Sequence, residues 1–524
     1  MKATSIPVPL LAATLVTACD MGTVPPPAPT VTNVTVDRDF DGYPAAYDCD
    51  DLSPTVHPDV VEVCNDGVDN NCDGTDDGCS WGGVTPLEEA VGIVGDSEGA
   101  QAGWSVASVG DFDLDGADDV VVGAYSDATN GAFSGAAYLF RGPITGRLRL
   151  SEADVVIRGA NPYDYAGWTV GRAGDLNDDG FPDLFVGAHG DDTNGSGAGA
   201  ALVFFGPLRR DRTTDEADLR IVGAAPADAA GSAAVALGDA NGDGFDDFAV
   251  GSYGVDGAAP DSGAAFVFFG PLEAGTVGTD SADLRFDGVG DRDWAGADLA
   301  VGDFDGDDVP DLAVGAVGVG GGAGGVAVFR GPLSRSADLS QADALLRGTK
   351  AGDRFGSALA NAGDTDRDGR DDLLVGAPLA DGVGEDSGAA YLFRGPFSGE
   401  VSATAATGRI TGEAGDQVGT SVSGGDLDGD GFADLVVGAI GDDRGAEEAG
   451  AVVLVHGPFE GALRTADADA SFLGVGATDH AGYSLCGGSD LDGDGVRDLL
   501  VGAPGHDANG RDAGAVFVVS GRGF

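Results

Sequence analysis

The stretch Asp111-Phe112-Asp113-Leu114-Asp115-Gly116-Ala117-Asp118-Asp119-Val120-Val121-Val122 decides the fold, because it recurs six more times along the chain. The recurrences begin at Asp175, Asp239, Asp303, Asp364, Asp426 and Asp490, in steps of 64, 64, 64, 61, 62 and 64 residues. A period this regular identifies a repeat architecture, in which one supersecondary unit is copied and stacked.

Each copy sets oxygen-bearing side chains at positions 1, 3, 5 and 9 of a short loop. They are Asp111, Asp113, Asp115 and Asp119 in the first, then Asp175, Asn177, Asp179 and Asp183, and then Asp239, Asn241, Asp243 and Asp247. The fourth and fifth have Asp303, Asp305, Asp307 and Asp311, and Asp364, Asp366, Asp368 and Asp372. The last two have Asp426, Asp428, Asp430 and Asp434, and Asp490, Asp492, Asp494 and Asp498. Alternate residues of a tight loop aim carboxylates inward, and Ca²⁺ takes six to eight oxygens at roughly 2.3–2.6 Å, so the spacing points to a hard divalent cation. Position 6 is Gly except in the fourth copy, where Asp308 must strain or enter the left-handed region. Position 12, where an EF-hand needs a bidentate Glu, is Val in every copy, so a strand follows each loop. The competing reading is a plain Asx-turn hairpin, since Asp and Gly dominate turns in any case.

The chain has 524 residues and a formal charge of −61, from 27 Lys plus Arg against 88 Asp plus Glu. That balance argues against nucleic acid, whose binding rests on basic contacts to phosphate, and implies cations as partners. A chain so acidic repels itself when compact, and calcium-dependent folding is the expectation. The 42% of apolar residues separates it from acidic disordered tails.

Residues 1–18 carry Lys2, an apolar run from Ile6 to Val16, and Val16-Thr17-Ala18 before Cys19. This resembles the lipobox of bacterial lipoprotein signal peptides and implies export, cleavage before Cys19 and lipidation of its thiol; a plain secretory signal is the alternative. No later stretch has the roughly 18 uninterrupted apolar residues of a membrane helix, so the lipid is the expected membrane contact. Residues 19–35 are a Pro-rich spacer.

Residues 36–80 form a Cys/Asp-rich module in which Asp37, Asp39, Asp41 and Asp48, and Asp69, Asn71, Asp73 and Asp77, fit two further calcium loops. Its cysteines Cys49, Cys64, Cys72 and Cys79 allow three pairings, and nearness in sequence favours Cys49–Cys64 with Cys72–Cys79. A four-cysteine zinc site lacks its C-x-x-C pair, and copper would want His, Met and free thiolates. The run Cys64-Asn65-Asp66-Gly67-Val68-Asp69-Asn70-Asn71-Cys72-Asp73-Gly74 resembles a metal-binding module of bacterial surface proteins.

Residues 86–524 hold the repeat. One unit, Gly167 to Gly223, contains four strand-like runs, Trp168–Ala173, Leu184–Ala188, Ala200–Phe205 and Leu219–Val222. Seven units of four short strands predict an all-β seven-bladed propeller, which hides its sheet edges by radial closure. The last unit lacks a fourth run, and an orphan run, Val91–Val94, precedes the first, so residues 88–95 are expected to complete the last blade. Gly stands 12 residues after the first Asp of each loop (Gly123, Gly187, Gly251, Gly315, Gly376, Gly438, Gly502), which reads as a bend after a buried strand.

Phe355-Gly356 before the fifth loop, Gly376-Ala377-Pro378 after it and Gly502-Ala503-Pro504 resemble the FG-GAP repeats of integrin alpha-chain propellers. The resemblance implies calcium loops between first and second strands and ligand binding at the opposite face, with a protein or carbohydrate partner. There the polar loops Asp191–Asn194, Tyr253–Asp261, Asp442–Glu448 and His506–Asp512 lie, with His189, His480 and His506. Trp104, Trp168, Trp294 and Tyr483 recur near the first strand and read as blade packing. No nucleophile motif accompanies the histidines, so a surface adhesion or binding module is favoured over a calcium-supported polysaccharide lyase or hydrolase. Cys486 reads as a small buried thiol.

Overall fold

The computed structural model describes residues 82–507 and 509–521, together with Tyr43, Cys49, Ser53, Val56, His57 and Cys72. The described residues form seven sheets, each beginning with three consecutive antiparallel strands of one repeat unit. In the second sheet these are Val170–Gly174, Asp183–Ala188 and Ala200–Phe204, followed by Leu219–Val222. The middle two strands are buried along their whole length, because both faces of each blade pack against neighbouring blades. Val, Leu and Phe from consecutive blades therefore mix in shared clusters between the sheets.

The expected four-stranded blade is incomplete by one strand. A fifth, parallel strand lies outside the fourth in every sheet and is borrowed from the following unit: Arg212–Thr213 on Val155–Arg158, Gly275–Gly278 on Leu219–Val222. These pieces are short and polar, which is why no strand period shows in the sequence. Each caps the edge that a four-stranded blade would expose to solvent.

Two segments close the ring. Val91–Val94 pairs antiparallel with Ala515–Val518 of the seventh sheet, from Val91↔Val518 to Val94↔Ala515, and Gly83–Pro86 lies parallel to Ala470–Leu473 of the sixth.

The glycine 12 residues into each repeat lies inside the second strand, not at a bend. A Cβ there would stand 2.1–2.4 Å from a carbonyl oxygen of the next blade, that of Gly167 over Gly123 and of Gly419 over Gly376. Close approach of neighbouring blade backbones, rather than backbone curvature, demands the residue.

Among the described residues of the Cys/Asp-rich module, Cys49 and Cys72 form a disulfide, with Cα atoms 5.6 Å apart. This overturns the pairing by proximity, which assigned both cysteines elsewhere. Loop-closure entropy grows only with the logarithm of length, so nearness in sequence discriminates weakly between pairings. The ligands expected at Asp37, Asp39, Asp41, Asp48, Asp69, Asn71, Asp73 and Asp77 lie outside the described residues, as do Cys19, Cys64, Cys79 and the leader.

Candidate metal centre

Every acidic loop joins the first strand of its blade to the second, so all seven lie on one rim of the ring. Position 9 opens the second strand and is buried. Its Oδ2 accepts the position 2 N–H at 2.7–3.1 Å in every unit, Phe112 to Asp119 and Leu491 to Asp498 among them. Its Oδ1 accepts a glycine N–H from the end of the third strand at 2.8–3.0 Å, that of Gly142, Gly206, Gly270, Gly331, Gly395, Gly457 or Gly521. This carboxylate thus ties loop, second strand and turn together. Burial pushes Asp119, Asp247 and Asp372 up to about 6, and Asp183, Asp311 and Asp498 up to about 7. Desolvation disfavours the charged form, and a bound cation would oppose it.

Position 1 shapes the loop. In six of the seven its two oxygens accept the N–H groups of positions 5 and 6 at 2.8–3.0 Å, as Asp111 does from Asp115 and Gly116. Asp308 makes this bond with φ of 66°, so the fourth loop keeps the common shape by placing Asp in the left-handed region. The Asx-turn and metal readings coexist, because the turn is what gathers the carboxylates.

Donor atoms of Asp111, Asp113 and Asp115, of Asp303, Asp305 and Asp311, of Asp364, Asp366 and Asp368, and of Asp426, Asp428 and Asp430 converge within 4.8 Å of one another. The second and third loops hold their position 3 amides against position 5, Asn177 to Asp179 at 3.0 Å and Asn241 to Asp243 at 2.9 Å. In the seventh, Asp494 N–H donates to both Asp490 and Asp492.

The sixth loop departs from the rest. His456 Nδ1 lies 3.2 Å from Asp428 and 3.3 Å from Asp434, and a second cluster forms from these three groups. Burial alone would lower this imidazole, but its bonds to Asp428 and Asp434 raise it to about 10. Sequence reading missed His456 as part of a loop, because it stands 22 residues beyond Asp434; its place immediately before Gly457-Pro458, where other units carry Arg141, Arg330 and Arg394, was the available signal.

A divalent cation fits this donor set. Asp113 Oδ1, Asp305 Oδ1, Asp366 Oδ1 and Asp426 Oδ1 are buried without a hydrogen-bond partner among the described residues, which a carboxylate tolerates at a cost unless something positive faces it. Hard oxygen donors suit Ca²⁺ or Mg²⁺ rather than soft metals.

The opposite rim is built from the starts of the first strands and the ends of the second. Trp104 packs on Tyr483 at 4.3 Å, Tyr125 at 4.2 Å and Trp168 at 4.9 Å between ring centroids, and Trp168 packs on His189 at 4.2 Å. Tyr165 stacks on His189 at 5.0 Å, while Phe133 and Tyr163, 6.0 Å apart, are 43% and 55% exposed. Burial pulls His189 down to about 4, so it is neutral, and its Nδ1 has no hydrogen-bond partner among the described residues. His506 is engaged by Asp479 at 3.2 Å and His480 lies 3.8 Å from Glu448, so each of the three histidines has its own partners. Trp294 stands apart, lining one cleft together with Arg354, Gly318 and Gly320–Gly322. Cys486 receives the Ser108 N–H across the seam between last and first blades, and burial pushes its thiol up.

The FG-GAP repeat family matches residues 166–204, 355–393, 418–455 and 481–519, four of the seven units described above. Four of the propeller's seven units therefore match the FG-GAP repeat. The Cu-binding MopE metal-binding motif matches residues 48–78. Among curated relatives, integrin alpha pat-2 of Caenorhabditis briggsae is 33% identical over 227 residues, 41% of this chain and 18% of that protein. Integrin alpha-PS2 of Drosophila melanogaster is 34% identical over 226 residues, 41% and 16% of the two chains. The chain thus matches less than a fifth of the length of these relatives. Among solved structures, BBS1N in complex with ARL6DN shows a TM-score of 0.40 at 11% identity, covering 84% of this chain and 96% of that one. No helix among the described residues is long and apolar enough to cross a membrane.

Proposed function

We propose that the protein is a calcium-stabilised, exported and lipid-anchored FG-GAP propeller that serves as an adhesion or binding module, with its ligand on the rim opposite the acidic loops. The observation that carries this is the aromatic crescent. The residue after the left-handed glycine that opens each first strand is Trp104, Trp168 or Tyr483 in three adjacent blades, but Ser232, Ala297, Ser357 or Thr420 in the other four. Four blades satisfy the fold with small side chains at the same place, so packing alone does not require rings there. Partly exposed, mutually supported Trp and Tyr offer rigid amphipathic contact area of the kind that dominates recognition surfaces.

Calcium enters as a stabiliser of the loops, consistent with the orphaned carboxylate oxygens. The Cys19 anchor and extracytoplasmic location rest on the leader sequence. A polysaccharide lyase or hydrolase is the second reading, and the neutral, ring-stacked His189 gives it little support.

The test is an array of glycans and of extracellular proteins probed with residues 36–524, as wild type and as Trp104→Ser/Trp168→Ser/Tyr483→Thr, with the melting temperature followed in calcium and in chelator. The reading expects calcium to raise the melting temperature, wild type to bind at least one surface, and the variant to lose that binding while still unfolding cooperatively. Equal binding by the variant removes the crescent as the site, and shortened or unsaturated sugars released from an arrayed polysaccharide establish the enzyme instead.

A further inference from the structure

The residue before each Gly-Pro turn varies in step with position 3 of the acidic loop. Blades one, four and five carry Arg141, Arg330 and Arg394 where the loop has Asp113, Asp305 and Asp366. Blades two and three carry Phe205 and Phe269, and there the loop has Asn177 and Asn241. The guanidinium nitrogens stand 3.0, 3.4 and 3.3 Å from the Oδ2 atoms of their aspartates. In blades one to four, four carboxylates with one arginine, or three carboxylates with one amide, leave the same three net negative charges among the ligand positions, and in blade five Arg370, 2.7 Å from Asp368, offsets one more. Blade seven alone has four carboxylates and a neutral partner, Ser520, bonded to Asp492.

We propose that these arginines are built-in charge partners that set the cation affinity of their own loops and hold those loops together when no cation is bound. The proposal rests on the calcium reading above and assigns its tuning to particular residues. The geometry is that of a shared carboxylate: Oδ2 of position 3 faces the arginine, while Oδ1 is buried without a partner in each of the three loops. One oxygen is ion-paired and the other remains for a cation. The arginine is held in place from behind, since its Nη2 donates to a backbone carbonyl of the next blade, Leu208 at 2.9 Å, Phe397, or Phe459 at 3.3 Å. It therefore cannot swing away when a cation enters. A fixed unit charge near a divalent ion shifts binding by about tenfold even when well screened. The same charge offsets carboxylate repulsion in the empty loop, as Asn does in blades two and three by removing a charge.

The experiment compares wild type with Arg141→Gln/Arg330→Gln/Arg394→Gln, with Asp113→Asn/Asp305→Asn/Asp366→Asn, and with all six changes together. Radiolabelled calcium is measured by equilibrium dialysis, and thermal melts are run in calcium and in chelator. The arginine variant is expected to bind calcium about tenfold tighter at three sites and to melt lower in chelator than wild type. The asparagine variant is expected to bind about tenfold more weakly at those sites, and the six-fold variant to return towards wild type in both readouts. Arginines that serve only the seam between blades would lower the melt equally in calcium and chelator, with no rescue by asparagine, and that result overturns the proposal. Unchanged calcium affinity in the arginine variant overturns it as well. Failure of wild type to bind calcium at all removes the calcium reading itself, an outcome distinct from a calcium-binding protein indifferent to its arginines.

Discussion

On the loop rim, position 9 is Asp in all seven units and makes its two backbone bonds seven times over. On the opposite rim one backbone conformation is repeated just as faithfully but the side chain is not. Gln101, Tyr165, Ala229, Trp294, Arg354, Gln417 and His480 all sit two residues before the first-strand glycine with φ between 52° and 56°. Repetition of both geometry and chemistry marks a structural device. Repetition of geometry with free chemistry marks a scaffold on which a recognition surface is varied.

The largest test of this contrast is closure of the ring, which both rims need. Deleting residues 82–95 leaves Ala515–Val518 and Ala470–Leu473 without their outer partners. The expected outcome is loss of the single cooperative melt, followed by circular dichroism, together with association through the unpaired edges.

Between the rims, one blade breaks the pattern. Asp298 occupies the place held by Ser105 in the first blade, accepting N–H groups from Leu299 at 2.9 Å and from Leu359 of the next blade at 2.8 Å. Burial pushes its carboxyl up to about 7. The folded value lies above the unfolded one, so its contribution is greatest below about pH 4 and declines as pH rises to about 7. Relative to Asp298→Ser, wild type should lose at most about 4 kcal/mol across that window by urea titration. A constant difference with pH would show that the carboxylate is already well solvated.

Next in size is Gly376→Ala, which sets a methyl 2.1 Å from the Gly419 carbonyl. A cost of about 1–3 kcal/mol is expected, because the clash is with backbone and neither blade yields alone.

How much of this was legible follows the same division. The loops, the strand runs and the orphan segment Val91–Val94 were readable, because a seven-fold repeat makes each unit a control for the others. The borrowed fifth strands were not, since Arg212–Thr213 and Leu148–Arg149 are two residues long and pair with another unit. The role of Gly123 was misread because the atom that crowds it, the Gly167 carbonyl, is 44 positions away. The arginine and histidine partners of position 3 were missed for the same reason: they come from the far end of the third strand. The expected Cys49–Cys64 bridge failed because proximity in sequence says little about closure.

The smallest expected effect bears most directly on the variable rim. A left-handed conformation costs a non-glycine residue about 1–2 kcal/mol, and glycine adopts it freely. Gln417, with φ of 54°, carries that cost in a place where the backbone shape is common to all seven blades. Gln417→Gly should therefore raise the melting temperature slightly, by the equivalent of about 0.5–1 kcal/mol once the added freedom of the unfolded chain is subtracted. The same change at position 6 of a loop is already made in six of the seven units, where Gly stands and only Asp308 does not. A chain that has taken the glycine almost everywhere on one rim and nowhere at this position on the other is keeping side chains there against their conformational cost. If Gln417→Gly is instead destabilising, the side chain is held by packing in its own blade, and the variable rim is part of the fold rather than a surface for a ligand.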